Sequence, residues 1–298
     1  MRLRGWLLAL GCGAAGALAQ TGAPSDPGAS DRVNRQIEER DRVEGMMRRI
    51  PAGVALTDAE KAVQSVIDAV AAADCAGATA RLNAGIAKAY PEVFALAGVM
   101  FEEGLCLKPN WERALGFYER ALAAGQGGVA ARIAAGYAAP IGGRDQAAAL
   151  WWSIRARTAL PAPCSSVANL VADADKFVAA LNAWPAGQLR ACAYAAAVMA
   201  TIQADAESPL FAAGTGLRGS FKVTVLPEQG RVDIDDAAVL AAGGAPTSTD
   251  DRDATEAKKA LSARLRRAAD LALKRYDRPA GIAADWRAQA EFALKSGR

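Results

Sequence analysis

From Thr57 onward, apolar residues recur at helical spacing. Thr57-x-x-Glu60 is a capping box, and the helix it opens carries Ala62, Val63, Val66, Ile67 and Val70 on one face. A second stripe follows Cys75, with Ala78, Leu82, Ile86 and Ala89. From Pro161 to Asp205 the period stays helical. Val167, Leu170, Val171, Phe177 and Leu181 form one stripe and Tyr194, Val198 and Ile202 another, with Trp184-Pro185-Ala186-Gly187 breaking between them. After Ser208 the period switches to two. Phe221, Val223 and Val225 face one way, Lys222 and Thr224 the other. Pro227-Glu228-Gln229-Gly230 is a turn signal, and Val232 and Ile234 resume the alternation, so a β-hairpin is predicted. A helix from about Glu256 to Arg275 presents Leu261, Leu265, Ala268 and Ala272. A last strand alternates Trp286, Ala288, Ala290, Phe292 and Leu294 against Arg287, Gln289 and Glu291. The fold class is therefore α+β in two parts: a mostly α-helical region, then a small β-β-α-β domain whose strands share one sheet under the helix.

The N-terminus departs from both periods. Arg2 and Arg4 precede an apolar run from Trp6 to Ala19 that ends in Ala17-Leu18-Ala19. This layout predicts a signal peptide over residues 1–19, with a run shorter than the ~20 residues of a spanning helix. The periplasm is the predicted location, with no transmembrane span after cleavage. Lipid attachment at Cys12 is a lesser alternative, since Leu10-Gly11-Cys12 fits that pattern but Ala9 stands where an aliphatic Leu is usual. Residues 20–50 read as a Gly/Pro/Ser-rich lead-in followed by a polar helix bearing Val33, Ile37, Val43, Met46 and Met47.

Cysteine usage agrees with export. Cys75, Cys106, Cys164 and Cys192 remain beyond Cys12, an even number in an exported chain. Of the three pairings, the sequential one, Cys75–Cys106 and Cys164–Cys192, keeps each loop within one helical unit. Each bond would stabilise by ~3–4 kcal/mol in the chain-entropy model. Zinc is the rival reading, but no C-x-x-C pair occurs. The chain is 52% hydrophobic, chiefly through alanine, and 6% aromatic, which favours closely packed helices. Its net charge of +3 implies no nucleic-acid partner. It has no histidine, so imidazole ligands, proton shuttles and His-based triads are excluded.

The helical region over residues 51–205 contains an internal repeat. Phe117-Tyr118 and Trp151-Trp152 are aromatic pairs 34 residues apart, a period of tetratricopeptide-type solenoids. From Ala97 to Gly125 the chain resembles the Sel-like subclass. Ala97-Gly98, Phe101, Gly104, Asn110, Ala114, Phe117-Tyr118, Ala121 and Gly125 stand at that family's small pair, aromatic, loop glycine, acidic loop position, alanine, Trp-Tyr pair, alanine and closing glycine. Cys106 replaces its second loop glycine. A second unit keeps Ala148, Trp151 and Trp152 behind a shorter loop near Ala139 to Gly142, and an earlier unit is inferred before Tyr90. The competing reading is an Ala-rich bundle.

Residues 206–298 resemble the TonB C-terminal domain. Pro209, Ala212, Gly216, Leu217 and Gly219 have its spacing before the first strand. Phe221-x-Val223-x-Val225 and Gly230-Arg231-Val232 follow its hairpin, and Tyr276, Pro279, Gly281 and Phe292 its approach to the last strand. Leu240 to Asp253 reads as a loop with no counterpart in that pattern. The resemblance implies fold and docking. A short cleavable segment in place of an anchor and a long Pro-rich span argues against energy transduction.

Candidate chemistry is sparse. Asp233, Asp235, Asp236 and Asp250-Asp251-Arg252-Asp253 lack the regular oxygen spacing of a calcium loop and read as solvated acids. Arg264, Arg266, Arg267, Lys274, Arg275 and Arg278 read as a wet helix face, with an acidic partner or peripheral lipid contact as the alternative. Glu102-Glu103 has no partner acid at a defined spacing, and Trp151-Trp152 reads as core filling rather than a sugar platform. No catalytic residue, cofactor site or metal site is predicted. The function expected is a non-enzymatic adaptor or scaffold for other envelope proteins. A transport-associated component touching outer-membrane receptors and a carboxylate or serine hydrolase remain the alternatives.

Overall fold

The computed structural model describes residues 56–139, 143–206, 217–226, 228–241, 248–282 and 286–294. The predicted signal peptide, Cys12, the expected lead-in and polar helix, Pro209, Ala212 and Gly216 lie outside them. The described chain is mostly helical, with a small antiparallel sheet of four strands. No helix among the described residues is long and apolar enough to cross a membrane.

Six helices come first: α1 (Asp58–Ala71), α2 (Cys75–Ala87), α3 (Pro91–Glu103), α4 (Trp111–Ala123), α5 (Val129–Ala138) and α6 (Gln146–Arg155). Thr57 caps α1 in the full reciprocal box with Glu60. Asp74, Asn110 and Asp145 cap α2, α4 and α6 by accepting the N–H of the residue three further on. Consecutive pairs pack on one another, α1 on α2, α3 on α4 and α5 on α6. The cores between them run together: Ile86, Val99 and Phe117 touch both the α1–α3 cluster and the α3–α5 cluster.

The predicted stripe from Val167 to Leu181 is not one helix. It is divided among α7 (Ala162–Ser165), a 3₁₀ turn (Ala168–Leu170) and α8 (Ala174–Asn182). Asp173 is the cause, because its carboxylate accepts the Lys176 N–H and starts α8 afresh. Ala89 likewise falls past the end of α2, with φ +55. The expected break is shorter than Trp184–Gly187: it ends at Pro185, and α9 (Ala186–Ala206) already includes Ala186 and Gly187. Ala191 to Ala200 are all buried, as an alanine-rich helix allows when neighbours press on every side. Its neighbours are α5 and α6, and also α10 (Ser248–Arg275).

The sheet comprises β1 (Leu217–Leu226), β2 (Arg231–Asp235), β3 (Val239–Ala241) and β4 (Ala288–Leu294). The order is thus β-β-β-α-β rather than β-β-α-β. A short strand occupies the start of the supposed loop after Leu240, and α10 begins at Ser248 rather than near Glu256. Trp286 precedes β4 instead of belonging to it, and packs against both the sheet core and the α6–α9 core. The alternation is as expected: Phe221, Val223, Val225, Ala288 and Phe292 are buried, with Leu261, Leu265, Ala268 and Ala272 of α10 above them. Phe221 and Phe292 stack at 5.2 Å.

The cysteines pair sequentially, Cys75 with Cys106 and Cys164 with Cys192, across separations of 31 and 28 residues.

Candidate interaction surface

β1 is the central strand. On one side it pairs with β4, from Gly219↔Leu294 to Val225↔Ala288. On the other it pairs first with β2 and then with β3. Lys222 faces Asp235 and Gly219 faces Val239, so β2–β3 carries one residue more than β1 over that interval. That is a β-bulge in a broken edge strand. Gly219 is required there. Its φ is +102°, and a Cβ would lie 2.1 Å from the Ala238 carbonyl oxygen. The bulge is pinned to α10 by the Ser262 hydroxyl, which donates to Asp236.

The two edges differ in consequence. The β2–β3 edge is bulged and acidic, which obstructs strand addition. β4 is a regular seven-residue strand, and among the described residues only β1 pairs with it. Its backbone is a template for one further strand. The outward side chains are largely satisfied within the sheet. Ser220 donates to Glu291, Gln289 to Thr224 at 3.3 Å, and Arg231 to Asp233 at 2.9 Å. Asp235 accepts the Ala237 N–H at 3.0 Å. The acids of β2 are therefore engaged locally, and no group of ligand-type residues able to hold a metal occurs among the described residues.

The sheet is carried on the helices by a buried ion-pair cluster. The Glu102 side chain, at the end of α3, is 2% exposed. Its Oε2 accepts from the Tyr118 hydroxyl at 2.7 Å and lies 3.6 Å from Arg132 Nη1. Its Oε1 accepts from Arg275 Nη2 at 3.1 Å, and Arg275 also lies 3.6 Å from Glu103. Burial raises the Glu102 pKa, but the charges of Arg275 and Arg132 and the bonds from Tyr118 and Arg275 outweigh it, leaving it below 4.5. Burial, then the Glu102 charge, holds the Tyr118 phenol well above 10. The neighbouring Tyr276 hydroxyl donates to the Ala135 carbonyl at 3.0 Å and sits 2.9 Å from Thr201 Oγ1. Asp277 pairs with Arg144 at 2.9 Å. Both Glu102 oxygens are engaged, so this acid ties α3, α4 and α5 to the end of α10.

The repeat-signature residues meet at α3–α4. Gly98 lies under Tyr118, whose ring would be 2.3 Å from a Cβ at that position. Ala97, Ala114 and Ala121 are fully buried, and Phe101 stacks on Phe117 at 5.7 Å. Gly104 and Gly125 end helices at positive φ, and Cys106 adopts φ +56 where the pattern has a glycine. Trp151 packs into the α6–α9 core while Trp152 faces the α4–α5 side. Of the sheet-signature residues, Gly230 turns the hairpin at φ +59, Val223 and Phe292 are core, and Tyr276 is buried where α10 meets α5 and α9. Pro279 is half-buried.

Arg275 is a correction to the sequence reading. It belongs to a buried cluster rather than to the wet face formed by Arg266, Arg267 and Lys274. One signal pointed that way: Arg132 is the only charge in the otherwise apolar run of α5 and needs a counter-charge. No protein-family model, curated protein or solved structure matches the chain.

Proposed function

We propose that this chain is an exported adaptor of the bacterial envelope, with a Sel-like helical repeat part and a TonB C-terminal-like part that together hold another envelope protein. The observation that carries the reading is the contrast between the sheet's edges, one bulged and acidic, the other a regular strand with no second partner among the described residues. Sheets that need no partner obstruct both edges. The stacked helix pairs, with capped starts and shared cores, support the repeat reading. Two disulfides support an oxidising compartment.

The partner would contribute an extended segment to β4, its backbone bonds supplying affinity and its alternate side chains supplying choice. The test is crosslinking in intact cells followed by mass identification of the products. A recurrent envelope partner is the expected result. A freely diffusing monomer with no crosslinked partner overturns the reading.

A further inference from the structure

The two disulfides lie in opposite settings. Cys164 and Cys192 are each 0% exposed and packed among Leu150, Val167, Phe177 and Leu181. Cys75 is exposed and Cys106 half-buried. Cys75 is the first residue of α2, and Cys106 lies in the loop that joins α3 to α4. Thiol–disulfide exchange requires a thiolate to reach a sulfur, so access divides the two bonds before any difference in intrinsic strength does.

We infer that Cys75–Cys106 is a thiol-exchange site that takes a dithiol reductant, while Cys164–Cys192 is an inert staple. A thiolate of the dithiol attacks Sγ of Cys75. The Cys75–Cys106 bond breaks and Cys106 departs as a thiolate, which takes up a proton. The second thiol of the reductant, as its thiolate, then attacks the reductant's own sulfur in the mixed disulfide. Cys75 departs as a thiolate, and the reductant is left oxidised as a disulfide. Cys75 stands in the first turn of α2, where the helix dipole favours the departing thiolate.

Opening this bond is a local event. α3 and α4 stay joined through Gly98 against Tyr118 and through the Glu102 cluster, and α1 and α2 through their shared core. The buried bond has no such route. Its sulfurs become accessible only when the α6–α9 core opens, a step whose cost approaches that of unfolding.

The experiment uses the full folded chain with dithiothreitol at neutral pH. Samples are quenched by alkylation at intervals, mapped by mass, and followed in parallel by circular dichroism. The inference predicts label at Cys75 and Cys106 more than roughly tenfold sooner than at Cys164 and Cys192, with the helical signal unchanged. In urea beyond the unfolding midpoint the ratio falls towards one. Equal native-state rates, earlier label at the buried pair, label at Cys75 without reductant, or loss of helical signal in step with the first label would each overturn it.

Discussion

Gly98 and Glu102 sit one helical turn apart in α3 and were legible to different degrees. Gly98 stands in a recurring pattern of small and aromatic residues, and the structure gives the reason, since Tyr118 occupies the space of its missing side chain. Gly98→Ala should destabilise the chain by about 2 kcal/mol, read as a lower urea midpoint. Glu102 showed only a charge beside an aromatic. Its meaning depends on Arg275, 173 residues away, and no local pattern carries that distance. Glu102→Gln removes the buried charge that Arg132 and Arg275 share and should cost about 3 kcal/mol. The pH dependence follows from the depressed carboxyl. Its folded pKa lies below the unfolded 4.5, so its stabilisation is complete above that value and drains away as the pH falls through the folded one. Urea midpoints measured from pH 7 down to 3 should therefore fall less steeply in Glu102→Gln than in the natural chain. Equal slopes would remove Glu102 from the account.

At the scale of elements, one helix start was legible, the Thr57 capping box of α1. Asp74, Asn110, Asp145 and Asp173 start helices with a lone side-chain cap, and Asp173 does so inside a stripe whose period reads as continuous. Four ends share one closure, in which the residue after the cap turns to positive φ and the next N–H reaches back to the last turn. Gly125 holds that place after α4, but Ala73, Ala89 and Arg157 hold it after α1, α2 and α6. An alanine there is no turn signal, which is why Ala89 reads as part of a helical stripe. Ala89→Gly should raise stability by about 1 kcal/mol, measurable as a higher midpoint, because glycine enters this conformation without the Cβ penalty. In the sheet, the alternating positions of β1, β2 and β4 were legible. The bulge and β3 were not, since three residues carry too little period to show. Gly219→Ala is expected to disorder the β2–β3 edge, seen as faster amide exchange at Val239 and Leu240 with exchange at Ala290 and Phe292 little changed.

For the whole molecule, the two-part pattern reads as a boundary near Asp205, yet packing crosses that position. α9 lies against α5 and α6 as well as α10, and Trp286 enters two cores. Composition marks where the period changes, whereas contact between the parts depends on surfaces that only the folded chain brings together. A sheet held in this way offers β4 as a firm template, its position set by the Arg275–Glu102 and Tyr276–Ala135 contacts. The most direct test of the adaptor reading is site-specific photocrosslinking in intact cells. A reactive residue would be placed at Gln289 or Ala293 of β4, and at Asp233 of the bulged edge as the control. The account predicts one dominant crosslinked protein from the two β4 positions and little from Asp233. Absence of product from β4, or equal products from all three positions, would contradict it.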